Sequence, residues 1–372
     1  MKFNEYLYVP TVRTRLSELL GVAELRSDTK QKILPFVCLS KAHSVGEVER
    51  VFNKWTTSFD LPSVISLASD KQIQVDEYTQ LSDDTSGFKN WLTFLDKMRD
   101  SHKGVIPSAQ ITNSCSRRDF LKQVKELESA FGKVVLKVNP RIKREYQAAV
   151  YATSAITNIE NLMVIIDNGQ INSENQSTAL NGSIALLNNL RQEDPEVEIV
   201  TSASSFPKSF PPYTIDEDET YGEIPMLEWE NYQAIGGSEV AIYGDHASIH
   251  NQFYKGGGTF VARVDYPTLG QWIFERRKLP HSKAPREPEI TKAARAIIQN
   301  ELWDEVLNCW GKSRIIDSAE GVLEKFASPG KWISVRVNLH IERTIDFLEN
   351  KVEGIPNSSL GFEDEWDDED TW

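Results

Sequence analysis

The sequence predicts an α/β fold, a TIM-barrel-like (β/α)8 with an inserted β-hairpin and a disordered acidic C-terminal tail. Three observations lead there. Eight short runs rich in Val, Ile and Leu alternate with stretches of helical periodicity, as βα units around a parallel sheet require. No G-x-G-x-x-G or P-loop follows the first strand, which argues against an open dinucleotide-binding sheet. With 40% apolar residues, the 372-residue chain is large enough to fill such a core.

In chain order, the predicted strands and helices alternate as follows. The first strand is Tyr6 to Val12, before a helix over Thr14 to Leu25. Ile33 to Leu39 precedes a helix opening at Ser44, with Glu47 three residues on as in a capping box. Ser63 to Ala68 precedes the amphipathic stretch Gly87 to Arg99. Val105 to Ile111 precedes a helix over Ser116 to Phe131, stopped by Gly132. Lys133 to Asn139 leads into Ile142 to Ile159. Leu162 to Asp167, the most apolar run, leads into Ser177 to Leu190. After Val197 to Ala203 the chain turns Pro-rich and acidic through Glu223, so that crossover reads as irregular. The eighth strand is Val240 to Gly244, with Gly244 read as the exit into a loop.

Beyond the eighth strand, Gly256 to Gly258 reads as a flexible turn into a hairpin near 259–277, with Thr259 to Val264 and Gln271 to Arg276 as its strands. Pro288 to Trp310 is expected to be the last barrel helix, and Gly330 to Leu348 a strand and a terminal helix. One domain over 1–352 and a tail over 353–372 follow. The last twelve residues carry seven acids and no base, half of the net charge of −14, and are expected to be solvated and disordered. An acidic chain is a poor partner for membranes or for nucleic acid over a broad surface. Three dispersed cysteines suggest no disulfide framework, and no signal-like start is present, so the expected compartment is the cytoplasm.

Several of these segments resemble the Beta family of phage and bacterial proteins. The residues that carry the likeness are Tyr8-Val-Pro-Thr-Val-Arg13, Ile33-Leu-Pro-Phe-Val37, Tyr243-Gly-Asp245, Arg263 with Trp272 and Arg276, and Trp332 to His340. The resemblance implies a barrel-like α/β protein of phages and bacterial genomes, with a role in phage–host conflict or antiviral defence. It implies no catalytic residue.

In a parallel barrel the carboxyl ends of the strands share one face, where polar residues from distant positions converge. Arg13, Arg15, Lys137 and Arg141 are the candidate anion-binding residues, and Asp167, Asp245 and His246 the candidate acid–base set. His43, Asp70, Asn139, Ser202 and Ser204 lie at strand ends as well. Lys137 is the most informative, because a charge inside an apolar strand is costly unless paired. Period-two alternation lets Lys137 and Asp167 meet if both faces point inward, and the favoured reading is a structural ion pair or an outward Lys running past a helix. Asp245 is the expected contributor to the shared face, and His246 joins it only if the chain turns at Gly244. His246 and His250, four apart, would converge on a helix but not on a strand, so no metal site is assembled. Cys38 reads as core. No cofactor is specified. The two function classes are a barrel that recognises a protein or nucleotide ligand, and a metal-assisted hydrolase or phosphodiesterase acting on a phosphorylated substrate.

Overall fold

A computed structural model describes residues 2–40, 47–68, 76–251, 261–281 and 283–352. Eight parallel strands close a barrel: β1 (Tyr8–Arg13), β2 (Phe36–Leu39), β3 (Ser63–Leu67), β4 (Val105–Ala109), β5 (Val134–Val138), β6 (Leu162–Gln170), β7 (Glu198–Ser204) and β9 (Ile242–Asp245), which returns to β1. Between β7 and β9 the chain sends out β8 (Tyr221–Pro225). This strand pairs with β11 (Gln271–Lys278), itself antiparallel to β10 (Val261–Pro267), so the expected hairpin is a three-stranded sheet.

Side-chain alternation divides each barrel strand between two cores. Val9, Phe36, Cys38, Val64, Ile106, Val135, Met163, Ile165 and Val200 fill the interior, and Phe3, Tyr6 and Leu34 join that cluster. Their strand neighbours, among them Tyr8, Val37, Ile65, Leu136, Val164, Ile166, Ile199 and Tyr243, point outward into the helix layer. That layer comprises α1 (Leu16–Ala23), α2 (Ser27–Lys32), α3 (Val48–Ser58), α4 (Asp76–Leu81), α5 (Lys89–Ser101), α6 (Arg117–Phe131), α7 (Lys143–Ala155), α8 (Gln176–Glu193) and α9 (Leu227–Ile235). Ser116 caps α6 by accepting from the Asp119 N–H, and Gly132 ends it at φ 67°, as the sequence predicts.

Four expectations change. The Pro288 to Trp310 span is one shorter helix, α10 (Glu287–Ile298), followed by a non-helical stretch, and a further helix, α11 (Trp310–Ala319), starts only at its end. Both belong to a second apolar core, not to the barrel: α10 packs on β10 and β11, and α11 packs on α10 and the last helix. The last barrel helix is α12 (Pro329–Val352), a single helix with no strand before it. It lies against α1 on one side and contributes Trp332, Val335 and Leu339 to the second core on the other. The irregular crossover contains α9, whose mixed apolar and acidic positions gave little periodic signal. Gly244 is not the turn. It stays in β9, where a Cβ would come within 2.8 Å of Val200 Cγ1 and 3.1 Å of the Val9 carbonyl, so close strand approach requires glycine there. The chain turns three residues later, with Ala247 and Ser248 in the left-handed region at φ 48° and 61°.

Ser44, the expected start of the helix observed as α3, lies outside the described residues, as do His43, Asp70, the Gly256 to Gly258 turn and the acidic tail. Among the described residues no helix is long and apolar enough to cross a membrane.

Candidate functional site at the barrel mouth

Interior alternation carries the inward series to the carboxyl ends of the strands, where it becomes polar: Thr11 and Arg13, Cys38, Lys137, Asp167, Ser202 and then His246. Lys137 Nζ lies 3.3 Å from Asp167 Oδ2, the contact that alternation pointed to. His246 Nε2 lies 3.0 and 3.2 Å from the two Asp167 oxygens. Asp167 Oδ1 also accepts the Gly169 N–H at 2.9 Å, made possible by Gly169 at φ 65° where β6 bulges.

Burial alone would raise the Asp167 carboxyl. The charges of His246 and Lys137, with the bonds from His246 and Gly169, outweigh it and hold the group below its ordinary range. Burial likewise disfavours the Lys137 ammonium, and the neighbouring Cys38 and Asp167 reverse that and raise it. Its Nζ sits 4.6 Å from the centre of the Phe36 ring, adding a cation–π contact.

Two arginines flank this group without a carboxylate partner among the described residues. Arg13 donates to the Asn251 carbonyl, and Arg141 Nη2 to the Asn168 carbonyl at 2.7 Å. Arg15 stands at the start of α1, where its charge and that of Arg13 act on Glu18. Glu18 is buried, which raises its carboxyl, and it accepts the Arg13 N–H at 2.6 Å. Thr11 Oγ1 and Ser202 Oγ are buried with no hydrogen-bond partner among the described residues.

Asp245 is not part of this group, which corrects the expectation that it would serve the shared face ahead of His246. It is the strand neighbour of His246 and points the other way, into the layer between barrel and helices. There it accepts from Tyr8 Oη, from Tyr243 Oη at 3.1 Å and from the Ala247 N–H at 2.8 Å, and it contacts His340 Nε2 on α12. Burial would raise this carboxyl, and the charge and hydrogen bond of His340 with the Tyr8 and Ala247 bonds hold it low. Nearby, burial and the charge of Asp245 push the Glu228 carboxyl up to about 8. Glu228 Oε2 accepts the Ser205 N–H at 2.9 Å. Trp272, from β11, stacks on His340 at 5.7 Å and donates to Ser248 Oγ at 2.8 Å, so this second network ties barrel, sheet and α12 together.

Sequence reasoning missed Glu18, Asn168, Tyr8, Glu228 and His340. The advance signal was weak: Tyr8 opens and His340 ends two of the segments that carried the family likeness. Cys38 is buried as expected, but on the inward face beside Lys137. Among the described residues no group of three or more His, Cys, Asp or Glu is arranged to hold a metal ion.

Fold and site together define a closed parallel α/β barrel whose mouth carries a buried Lys–Asp–His group between two arginines. The chain belongs to the Beta protein family, whose model matches residues 8–346. It is 32% identical over 349 residues to Protein beta of Enterobacteria phage P4, an alignment covering 93% of this chain and 95% of that protein.

Proposed function

We propose that this chain is a ligand-recognising barrel that acts in phage–host conflict, and that its mouth binds an anionic small molecule of the nucleotide class. The observation that carries this reading is the charge balance at the mouth. Arg13 and Arg141 are held by backbone carbonyls and form no ion pair with an acid among the described residues, while Asp167 is already matched by Lys137 and His246. A phosphate entering there meets guanidinium forks suited to its geometry. The unpartnered hydroxyls of Thr11 and Ser202 are further donors deeper in the barrel.

Equilibrium dialysis of the full chain against a nucleotide panel tests the binding half. Arg13→Gln and Lys137→Met are each expected to weaken binding at least tenfold, and equal affinity of both variants and the parent would reject the mouth as the site. Plating efficiency of phages on cells making the parent or Lys137→Met chain tests the conflict half, with the variant expected to lose the effect.

A second reading, hydrolysis of a phosphate ester, is favoured by the buried Asp167–His246 dyad, which orients an imidazole as acid–base groups require. The Asp167 oxygens are taken up by Lys137, His246 and Gly169, so this reading rests on acid–base chemistry more than on a metal. Phosphodiester turnover retained in His246→Asn would remove it.

A further inference from the structure

A second recess lies outside the barrel, between the first turns of α6 and α7. It has a volume of about 220 Å³, and its walls include Phe120, Ala148, Tyr151, Arg117, Arg144 and Gln147. Apolar atoms from Phe120 and Ala148 make a floor, and the polar groups stand on the rim.

The two arginines are arranged differently. Arg144 Nη1 is fixed by two carbonyls, of Thr112 and Cys115, both at 2.8 Å. Arg144 lines the recess, and its Nε and Nη2 make no hydrogen bond or ion pair among the described residues. The Arg117 guanidinium carbon lies over the Tyr151 ring, 3.9 Å from its centre, a cation–π pair that forms a cationic, aromatic shelf in the recess wall. Arg118 and Lys143 sit exposed on the same two helix starts and also have no ion-pair partner among the described residues. Asp84 is the acid whose charge reaches Arg144, and its carboxylate is turned to the hydroxyls of Thr112 and Ser114. In a chain of net charge −14, four basic residues on these two helix starts face the nearby acids Asp84, Asp119 and Glu145 without an ion pair to any of them among the described residues.

We propose that the α6–α7 recess is a binding site, separate from the barrel mouth, for a planar ring carrying a phosphate, a nucleoside monophosphate in chemical class. The ring stacks on the Arg117–Tyr151 shelf over the apolar floor, and the phosphate takes the free edge of the Arg144 fork. Two guanidinium groups in the recess wall favour a phosphate dianion over a singly charged carboxylate. Stacking selects a ring without reading its edge, so the base preference is weak.

Titration calorimetry of the full chain with adenosine 5′-monophosphate, adenosine, benzoate and inorganic phosphate tests this. The monophosphate is expected to bind at least tenfold more tightly than the other three. Arg117→Gln and Tyr151→Leu, which leave the Arg144 anchor intact, are each expected to weaken it about tenfold or more at unchanged thermal stability, the size of one lost stacking contact. Arg144→Gln should match them.

Lys137→Met separates this site from the mouth. Binding that survives Lys137→Met but is lost in Arg117→Gln and Tyr151→Leu supports the recess. Binding lost in Lys137→Met and unchanged in the recess variants overturns it while leaving the mouth reading in place. No binding in the parent chain, or equal affinity for benzoate and the monophosphate, also overturns it.

Discussion

Glu228 makes the buried network behind the barrel sensitive to pH, and Glu228→Gln isolates that sensitivity. The carboxyl is 5% exposed in the first turn of α9, and its value of about 8 compares with 4.5 for a free glutamate. Burial is the main cause and the charge of Asp245 the second. A group whose folded value is raised keeps its proton in the folded chain after the unfolded chain has released it. The contribution of Glu228 to stability is therefore full below pH 4.5 and is lost as pH rises to about 8. A difference of this size corresponds to about 5 kcal/mol, an upper figure because Asp245 shares the site. Glutamine keeps an oxygen to accept the Ser205 N–H and has nothing to ionise. Urea unfolding of parent and Glu228→Gln chains at pH 5 and pH 8.5 reads the effect. The two should be nearly equal at pH 5, and the variant more stable by several kcal/mol at pH 8.5. A stability difference that is the same at both pH values would refute the assignment of a buried, neutral Glu228.

Three further outcomes follow from the geometry. Asp167→Asn leaves the Lys137 ammonium without its carboxylate, and because Lys137 is about a quarter exposed the loss should sit near the lower end of the range for breaking a buried pair, about 3 kcal/mol, measured by urea unfolding near neutral pH. The low value of Asp167 also means that its contribution is present above the unfolded carboxylate range and is lost as pH falls through the folded value; acid unfolding of Asp167→Asn should lack that component. Gly244→Ala places a methyl against Val200 and the Val9 carbonyl and should cost about 1–3 kcal/mol, whereas Gly132→Ala meets no atom and should be penalised mainly by its positive φ.

The barrel was legible because its strands are apolar on both faces and separated by helical patterns, and the structure places all eight within a few residues of their predicted bounds. The pairing of Lys137 with Asp167 was legible for a related reason, since alternation on two adjacent parallel strands needs only the register. The position of His246 depended on something the sequence hid. Gly244 looked like a turn, but its small size serves the approach of β7 and β1, and the left-handed residues are an alanine and a serine. With the strand running on to Asp245, the carboxylate and the imidazole exchange the faces expected of them. The Asp245–His340 contact joins residues 95 apart on a strand and a helix, and no local pattern signals such a pair. The misassigned last helix has the same origin: α10 is amphipathic and follows prolines, but its apolar face fits the three-stranded sheet as well as a barrel.

The position of α12 also sets the order in which the molecule can be completed. Tyr8 and Asp245, whose contact closes the barrel, are 237 residues apart, and Arg26 is bonded to Glu342 across 316. During synthesis the first strand and α1 emerge early and wait, with Tyr8, Val12 and Val22 uncovered, until the last helix leaves the ribosome. Closure therefore spends a large loop entropy in one late step, and a barrel of such high contact order folds slowly. A chain ending before Pro329 would contain every barrel strand and still leave β1 without its outer wall.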